Sequence, residues 1–133
     1  MSKFSDNQLI SIAQQYHDLS AAVAQFRLDR IHEGLPLNDP GIVHLLGLQI
    51  SLSNTSSSFF AQAAQITLAD ADKATAQITA ATKAANDAIK TLKVLNKVLS
   101  IGSAVGVVVA SVMTGDMNQI AAATKGVFTA IGG

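Results

Sequence analysis

The side chains of this chain that can do covalent chemistry are few and poorly placed for it. Of its histidines, His17, His32 and His44, no two have the i, i+4 spacing that places two metal ligands on one helix face. His32 adjoins the only glutamate, Glu33, but consecutive helical residues do not face each other. Asp29 sits between Arg27 and Arg30, the pattern of a surface ion-pair cluster. Cysteine is absent, which excludes thiolate nucleophiles, thiolate metal sites and disulfides. Neither a phosphate-binding loop nor a nucleophile elbow occurs. The expectation is a protein that is not an enzyme and needs no metal or cofactor.

The informative spacings belong to small and cationic residues, whose chemistry is non-covalent. Gly102, Gly106 and Ala110 recur every four residues, and on a helix they stack into a smooth ridge. Such a ridge lets a second helix approach closely, which is how helices associate inside a bilayer. It also suits close packing in a soluble bundle. The ridge lies within Val98–Gly115, which has no charged residue and is just long enough to cross hydrocarbon. The side chains placed to meet lipid are Val98, Ile101, Val105, Val107, Val108, Val109 and Val112. Lys90, Lys93 and Lys97 come just before this stretch on overlapping faces. They fit a solvated helix face, or a head-group anchor whose ammonium groups reach lipid phosphates. Beyond the stretch only Asp116 and Lys125 are charged, which limits the cost of insertion, since a charge at the bilayer centre costs about 2.5–3.5 kcal/mol on insertion scales.

The elements that must position these residues are helices. Ser5 with Gln8 makes a capping box, followed by Leu9, Ile12, Tyr16, Leu19, Val23 and Phe26 at a and d heptad positions. Gly34, Pro36 and Pro40 end this helix. Asp39 as N-cap with Pro40 at the first turn starts another, which is apolar on nearly all sides from Ile42 to Leu52. His44 is the one histidine in that run. It is either a hydrogen-bonded histidine in a core or interface, or a trigger that charges near pH 6. The polar run Ser53–Ser58 reads as a break. From Phe59 to Met113 no glycine precedes Gly102 and no proline occurs, so the helical pattern reads as continuous, about 80 Å long at 1.5 Å per residue. Its heptads place Ile78, Ala85, Leu92 and Leu99 at a, Ala74, Ala81, Ala88 and Leu95 at d, and Lys83, Lys90 and Lys97 outward. Thr114-Gly115-Asp116 is a turn, after which Ile120, Val127, Phe128 and Ile131 share one side of a short helix. Gly132 and Gly133 should fray, and a helical chain gives a C-terminal Gly-Gly no ubiquitin-like context.

Composition agrees with this pattern. The chain has 133 residues, 49% of them hydrophobic and only 14% charged, against roughly 25% charged in typical soluble proteins. Nine basic residues balance nine acidic ones, so there is no basic field to attract nucleic acid. The N-terminus lacks the apolar core of a secretory signal. Synthesis in the cytoplasm is expected, with release by lysis or a leaderless route if the protein reaches a target membrane.

From Phe59 to Ile131 the pattern resembles the helical pore-forming toxins of the cytolysin A and tripartite haemolysin type. The resemblance implies an apolar head formed by Val94–Met113, the turn at Thr114–Asp116 and Ile120–Ile131, with Lys83–Lys97 on a stalk beneath it. It also implies a head that is hidden in solution and inserts on contact with lipid.

The expected fold is all-α, one helical domain forming an elongated bundle or hairpin of three to five helices. Residues 1–34 make an amphipathic helix, 40–97 a long Ala-rich region and 98–131 an apolar hairpin. The expected function is a membrane-inserting, self-associating protein such as a pore subunit, with lipid, further copies and partner subunits as its contacts. The alternatives are a soluble protein that assembles into a filament, shell or secretion structure, and a small helical adaptor or chaperone.

Overall fold

Ser5 starts the first helix as the sequence predicts. Its hydroxyl accepts from the Gln8 amide while the Gln8 side chain accepts from the Ser5 N–H. The computed structural model describes residues 1–132 and is an all-α bundle of five helices. These are α1 (Asp6–His32), α2 (Pro40–Ala63), α3 (Ala71–Thr91), α4 (Leu95–Thr114) and α5 (Met117–Gly132). Gly133 lies outside the described residues, and Gly132 is the last residue of α5.

All six heptad positions of α1 from Leu9 to Phe26 are buried. Gly34, just past its end, has φ of 114°, a conformation that only glycine adopts without strain. Asp39 then caps α2 by accepting from the Gly41 and Ile42 amides. Polar ties set how α2 returns along α1. Arg27 Nε donates to Ile42 O, Ser20 Oγ to Gln49 O, and Ser56 Oγ to Ala13 O. Each step of seven residues down α1 matches a step of seven up α2, so the pair is antiparallel.

The break expected at Ser53–Ser58 does not occur, and α2 runs through it. Ser57 and Ser58 turn their hydroxyls back onto the carbonyls of Ser53 and Asn54, and Ser56 bonds across to α1. The hydroxyls are satisfied without unwinding the backbone.

The continuous helix from Phe59 to Met113 is also absent, replaced by parts of three helices. After Ala63 the chain leaves the helix, and Thr67–Leu68 pair antiparallel with Ser2–Lys3 as a two-residue ladder, β1 with β2. Leu68 is fully buried there, and the Asp70 carboxylate accepts from the Lys73 amide to start α3. A second reversal follows Thr91. Leu92 is extended, Val94 gives α4 no side-chain cap, and Arg30 Nη1 donates to Lys93 O. Neither break has a glycine or proline. The second is set by burial: Ala74, Ile78, Ala81, Ala85 and Ile89 on α3 and Val98, Ile101, Val105, Val108 and Val112 on α4 all reach the core, which a straight helix cannot achieve.

α3 runs parallel to α1, since Gln8 bonds to Asp72 and Gln15 to Thr79. α4 runs parallel to α2, with Gly41 beside Leu95 and Gly102 beside Leu48. Gly115 ends α4 with φ of 70°, and Asp116 accepts from the Asn118 amide at the start of α5. α5 returns along α4 and packs on α3. Phe59 is sandwiched between Phe4 and Tyr16, its ring centroid 6.3 Å from each. One end of the bundle therefore gathers the C-termini of α1 and α3 with the N-termini of α2 and α4. The opposite end gathers β1, β2 and the α4–α5 turn.

Candidate functional site: the uncharged face of α2 and α4

The apolar residues nominated on α4 divide between core and surface because the helix has one buried face. Val98, Ile101, Val105, Val108 and Val112 are buried, Val109 is half-buried, and Val107 is 57% exposed. The Tyr16 hydroxyl from α1 donates to Val105 O at 3.1 Å, and burial pushes the phenol of Tyr16 above its ordinary pKa.

The ridge of small residues divides as well. A Cβ on Gly102 would lie 2.3 Å from Leu48 Cδ2 and 3.0 Å from Leu48 Cγ. Gly102 is thus the point where α4 meets α2 within the chain. Gly106 is exposed and a Cβ there would meet nothing within 4 Å, and Ala110 is also exposed. Only the Gly106–Ala110 part of the ridge is free for a further contact.

The cationic group does not share one helix face. Lys90 lies in the last turn of α3, Lys93 in the connection and Lys97 in the first turn of α4. All three still fall at the same end of the bundle, at the start of the apolar helix. His44 is exposed and lines the groove between α2 and α4, so it is not a core histidine. His17 and His32 are exposed too, on α1.

The groove beside Gly106 is lined by no Lys, Arg, Asp or Glu. Solvent reaches Val43, Leu46 and Ile50 on α2 and Val107 on α4, with exposures of 52, 37, 51 and 57%. A groove of about 460 Å³ runs between the two helices, lined by His44, Gly47, Leu48, Ser51, Leu99, Gly102, Ser103 and Gly106. On the other side of α4 a second groove, of about 430 Å³, lies between Val107, Ala110, Ser111 and Thr114 and the α5 residues Gln119, Ala122 and Ala123. α4 is the ridge between two shallow, uncharged depressions. No residue from Pro40 to Ala69 or from Val98 to Gly115 is charged apart from any charge on His44.

The exposed stripe Val43–Leu46–Ile50 was not singled out from sequence, because α2 is apolar all round and its buried side cannot be told from its outer one. A groove of about 500 Å³ between α1 and α3 was also missed. Asp18, Gln25, Asp29, Asn86 and Lys90 line it over an apolar floor that includes Phe26 and Ile89. The Asn86 Oδ1 atom is buried there without a donor.

α4 has the length and composition to cross a membrane, with a mean hydropathy of 1.7. At 20 residues its length is about 30 Å, the thickness of a bilayer's hydrocarbon core. A core helix of a soluble bundle meets the same criteria, and 39% of this stretch of α4 is buried inside the bundle. Comparison with known proteins finds no matching family model, no matching curated protein and no matching solved structure.

Proposed function

We propose that this protein acts by transferring its α4–α5 hairpin from the bundle into a lipid bilayer, where copies associate through α4 as a pore or pore-component subunit. One observation carries the reading. From Val98 onward the outward side of α4 is as free of charge as its buried side, with Ser103, Gly106, Val107 and Ala110 at exposed positions. A core helix of a bundle ordinarily places charge wherever it meets water. α4 does not, so no charged side chain of Val98–Gly115 has to be dehydrated when the helix enters lipid.

The remaining parts have matching roles. Lys90, Lys93 and Lys97 stay with the head groups and fix which end of α4 remains outside. Gly106 and Ala110 supply the close helix–helix contact, joined by Gly102 once it leaves Leu48. α5 carries Lys125 on its exposed side and Ile120, Ala123 and Val127 on its buried side, an amphipathic pattern that suits the wall of an assembly. The bundle releases the hairpin by giving up the α2–α4 contact at Gly102 and the Tyr16 bond to Val105.

The test is co-flotation with vesicles of phosphatidylcholine and phosphatidylglycerol, read together with dye release from the same vesicles. The parent protein floats and releases dye. Val107→Asp alters an exposed position, so it folds normally but neither floats nor releases dye. Gly106→Leu floats but forms no oligomers in lipid. Parent protein that stays at the bottom with the dye retained, or a Val107→Asp variant as active as the parent, overturns the proposal.

A further inference from the structure

We infer that Arg30 is a latch on the α4–α5 hairpin: its guanidinium holds the Leu92–Val94 reversal shut, and breaking that contact lets α4 and α5 swing away from α1–α3 as one unit. This deepens the proposed transfer of the hairpin, on which its functional role rests, by naming the contact that restrains it. Two chain reversals could serve as the pivot, and they are held differently. Ala64–Asp70 is secured by the β1–β2 ladder, by the Ala71 amide donating to Ser2 Oγ at 3.0 Å, and by the fully buried Leu68. Leu92–Val94 has no such support. Lys93 and Val94 are exposed, and Val94 gives α4 no side-chain cap. Among the described residues, the one hydrogen bond that ties this reversal to another element runs from Arg30 Nη1 to Lys93 O, at 3.3 Å.

Arg30 is aimed at that carbonyl by its own helix. Its Nε and Nη2 donate to the two carboxylate oxygens of Glu33 at 2.9 and 2.8 Å, and its Cζ lies 4.4 Å from the centre of the Phe26 ring. Both partners belong to α1 and its C-cap, one turn to either side of Arg30. They orient the guanidinium without help from α3 or α4, and Nη1 takes Lys93 O. A planar fork can serve an acid, a ring and a carbonyl together, which a single ammonium cannot. The side chain is 12% exposed, so the charged group is largely withdrawn from water.

The contact is small and placed for release. Lys93 is exposed, so its carbonyl meets water once Arg30 lets go, and no polar group is stranded. The Arg30, Glu33 and Phe26 cluster stays with α1 whether the hairpin is docked or released. Opening therefore gives up one charge-assisted hydrogen bond at the pivot besides the packing of α4, and without Arg30 the open population rises about tenfold. α1 and α2 stay paired in both states. A bond between them, such as Ser20 Oγ to Gln49 O, opposes global unfolding but not release of the hairpin.

The test is made in buffer without lipid. The chain has no cysteine, so a single thiol introduced by Val105→Cys reports on one site. Val105 is 1% exposed, on the turn of α4 bonded to Tyr16, and a thiol there reacts with an aromatic disulfide reagent only when α4 leaves α1. In this background Arg30→Gln raises the labelling rate about tenfold. Arg30→Lys raises it as well, because lysine keeps the charge without the fork. Ser20→Ala lowers the urea midpoint yet labels at the parent's rate. An Arg30→Gln variant that labels no faster than the parent overturns the inference. So does a Ser20→Ala variant that labels faster in proportion to its lost stability, because the thiol is then exposed by global unfolding. Dye release from vesicles separates the two proposals: labelling that responds to Arg30, with no release from the parent or from Arg30→Gln, keeps the latch and rules out transfer into lipid.

Discussion

Gly102 and Gly106 sit one turn apart in the same uncharged helix, and substitution to alanine should move stability in opposite directions. At Gly102 the new Cβ falls 2.3 Å from Leu48 Cδ2, 2.7 Å from Cδ1 and 3.0 Å from Cγ. Rotating the end of the Leu48 side chain relieves the first two contacts but leaves the third, so the side chain or α2 itself must move. Overpacking of this kind costs about 1–3 kcal/mol, offset by the roughly 0.5–1 kcal/mol that alanine gains over glycine inside a helix. The net expectation is a loss of about 1–1.5 kcal/mol. At Gly106 nothing lies within 4 Å of the added atom, so only the helix gain remains and the variant is stabilised by about 0.5–1 kcal/mol. Urea unfolding followed by helical circular dichroism separates the two cases. With a slope of about 2 kcal/mol per molar, the midpoints differ by roughly 1 M. The comparison is made over a tenfold range of protein concentration, so that any association through Gly106 shows as a shift with concentration. A double variant gives the control: in a Leu48→Ala background Gly102→Ala loses its penalty and becomes favourable. Equal shifts for the two glycines, or a penalty at Gly102 that persists without Leu48, would refute the packing argument.

Other consequences follow from single contacts. Phe59→Ala removes the ring between Phe4 and Tyr16 and should cost about 3–5 kcal/mol, read as a lower urea midpoint with an unchanged slope. Tyr16 is the only tyrosine, so its phenolate absorbance reports one site. Burial raises its pKa in the folded state, so its contribution to stability is complete below the unfolded value of about 10 and is lost as pH rises beyond it. Native protein should show no phenolate until it unfolds, and Tyr16→Phe should make unfolding less sensitive to alkali. An early phenolate signal from folded protein would contradict the burial. Asp70→Ala removes the cap of α3 and should cost about 0.5–2 kcal/mol, measured by the same unfolding curves.

The fold was legible where the pattern is local. The heptads of α1, the capping box at Ser5 and the Asp39–Pro40 start each depend on residues within one or two turns, and each forms as the sequence predicts. The reversal at Leu92–Val94 was not legible, because its cause lies outside the segment. Alanines on α3 and valines on α4 both reach the core only if the chain doubles back, and no local residue records that. The serine run misled for a related reason. A hydroxyl can bond to a carbonyl four residues earlier as readily as it can open a turn, and the deciding partner, Ala13 O, is 43 residues away from Ser56. On α4 the glycine spacing identified the contact ridge but not its owner. That Leu48 of the same chain occupies Gly102 while Gly106 stays open follows only from the arrangement of α2 beside α4.

The ties between α1 and α2 work like a vernier scale. Arg27, Ser20 and Ala13 meet Ile42, Gln49 and Ser56 at matched intervals of seven residues, so a slip by less than a whole heptad breaks all three bonds at once. Sliding of this pair along its length is therefore closed as a route of motion. The two helices behave as a rigid keel, and any large rearrangement of the molecule has to pivot about the chain reversals at Ala64–Asp70 and Leu92–Val94.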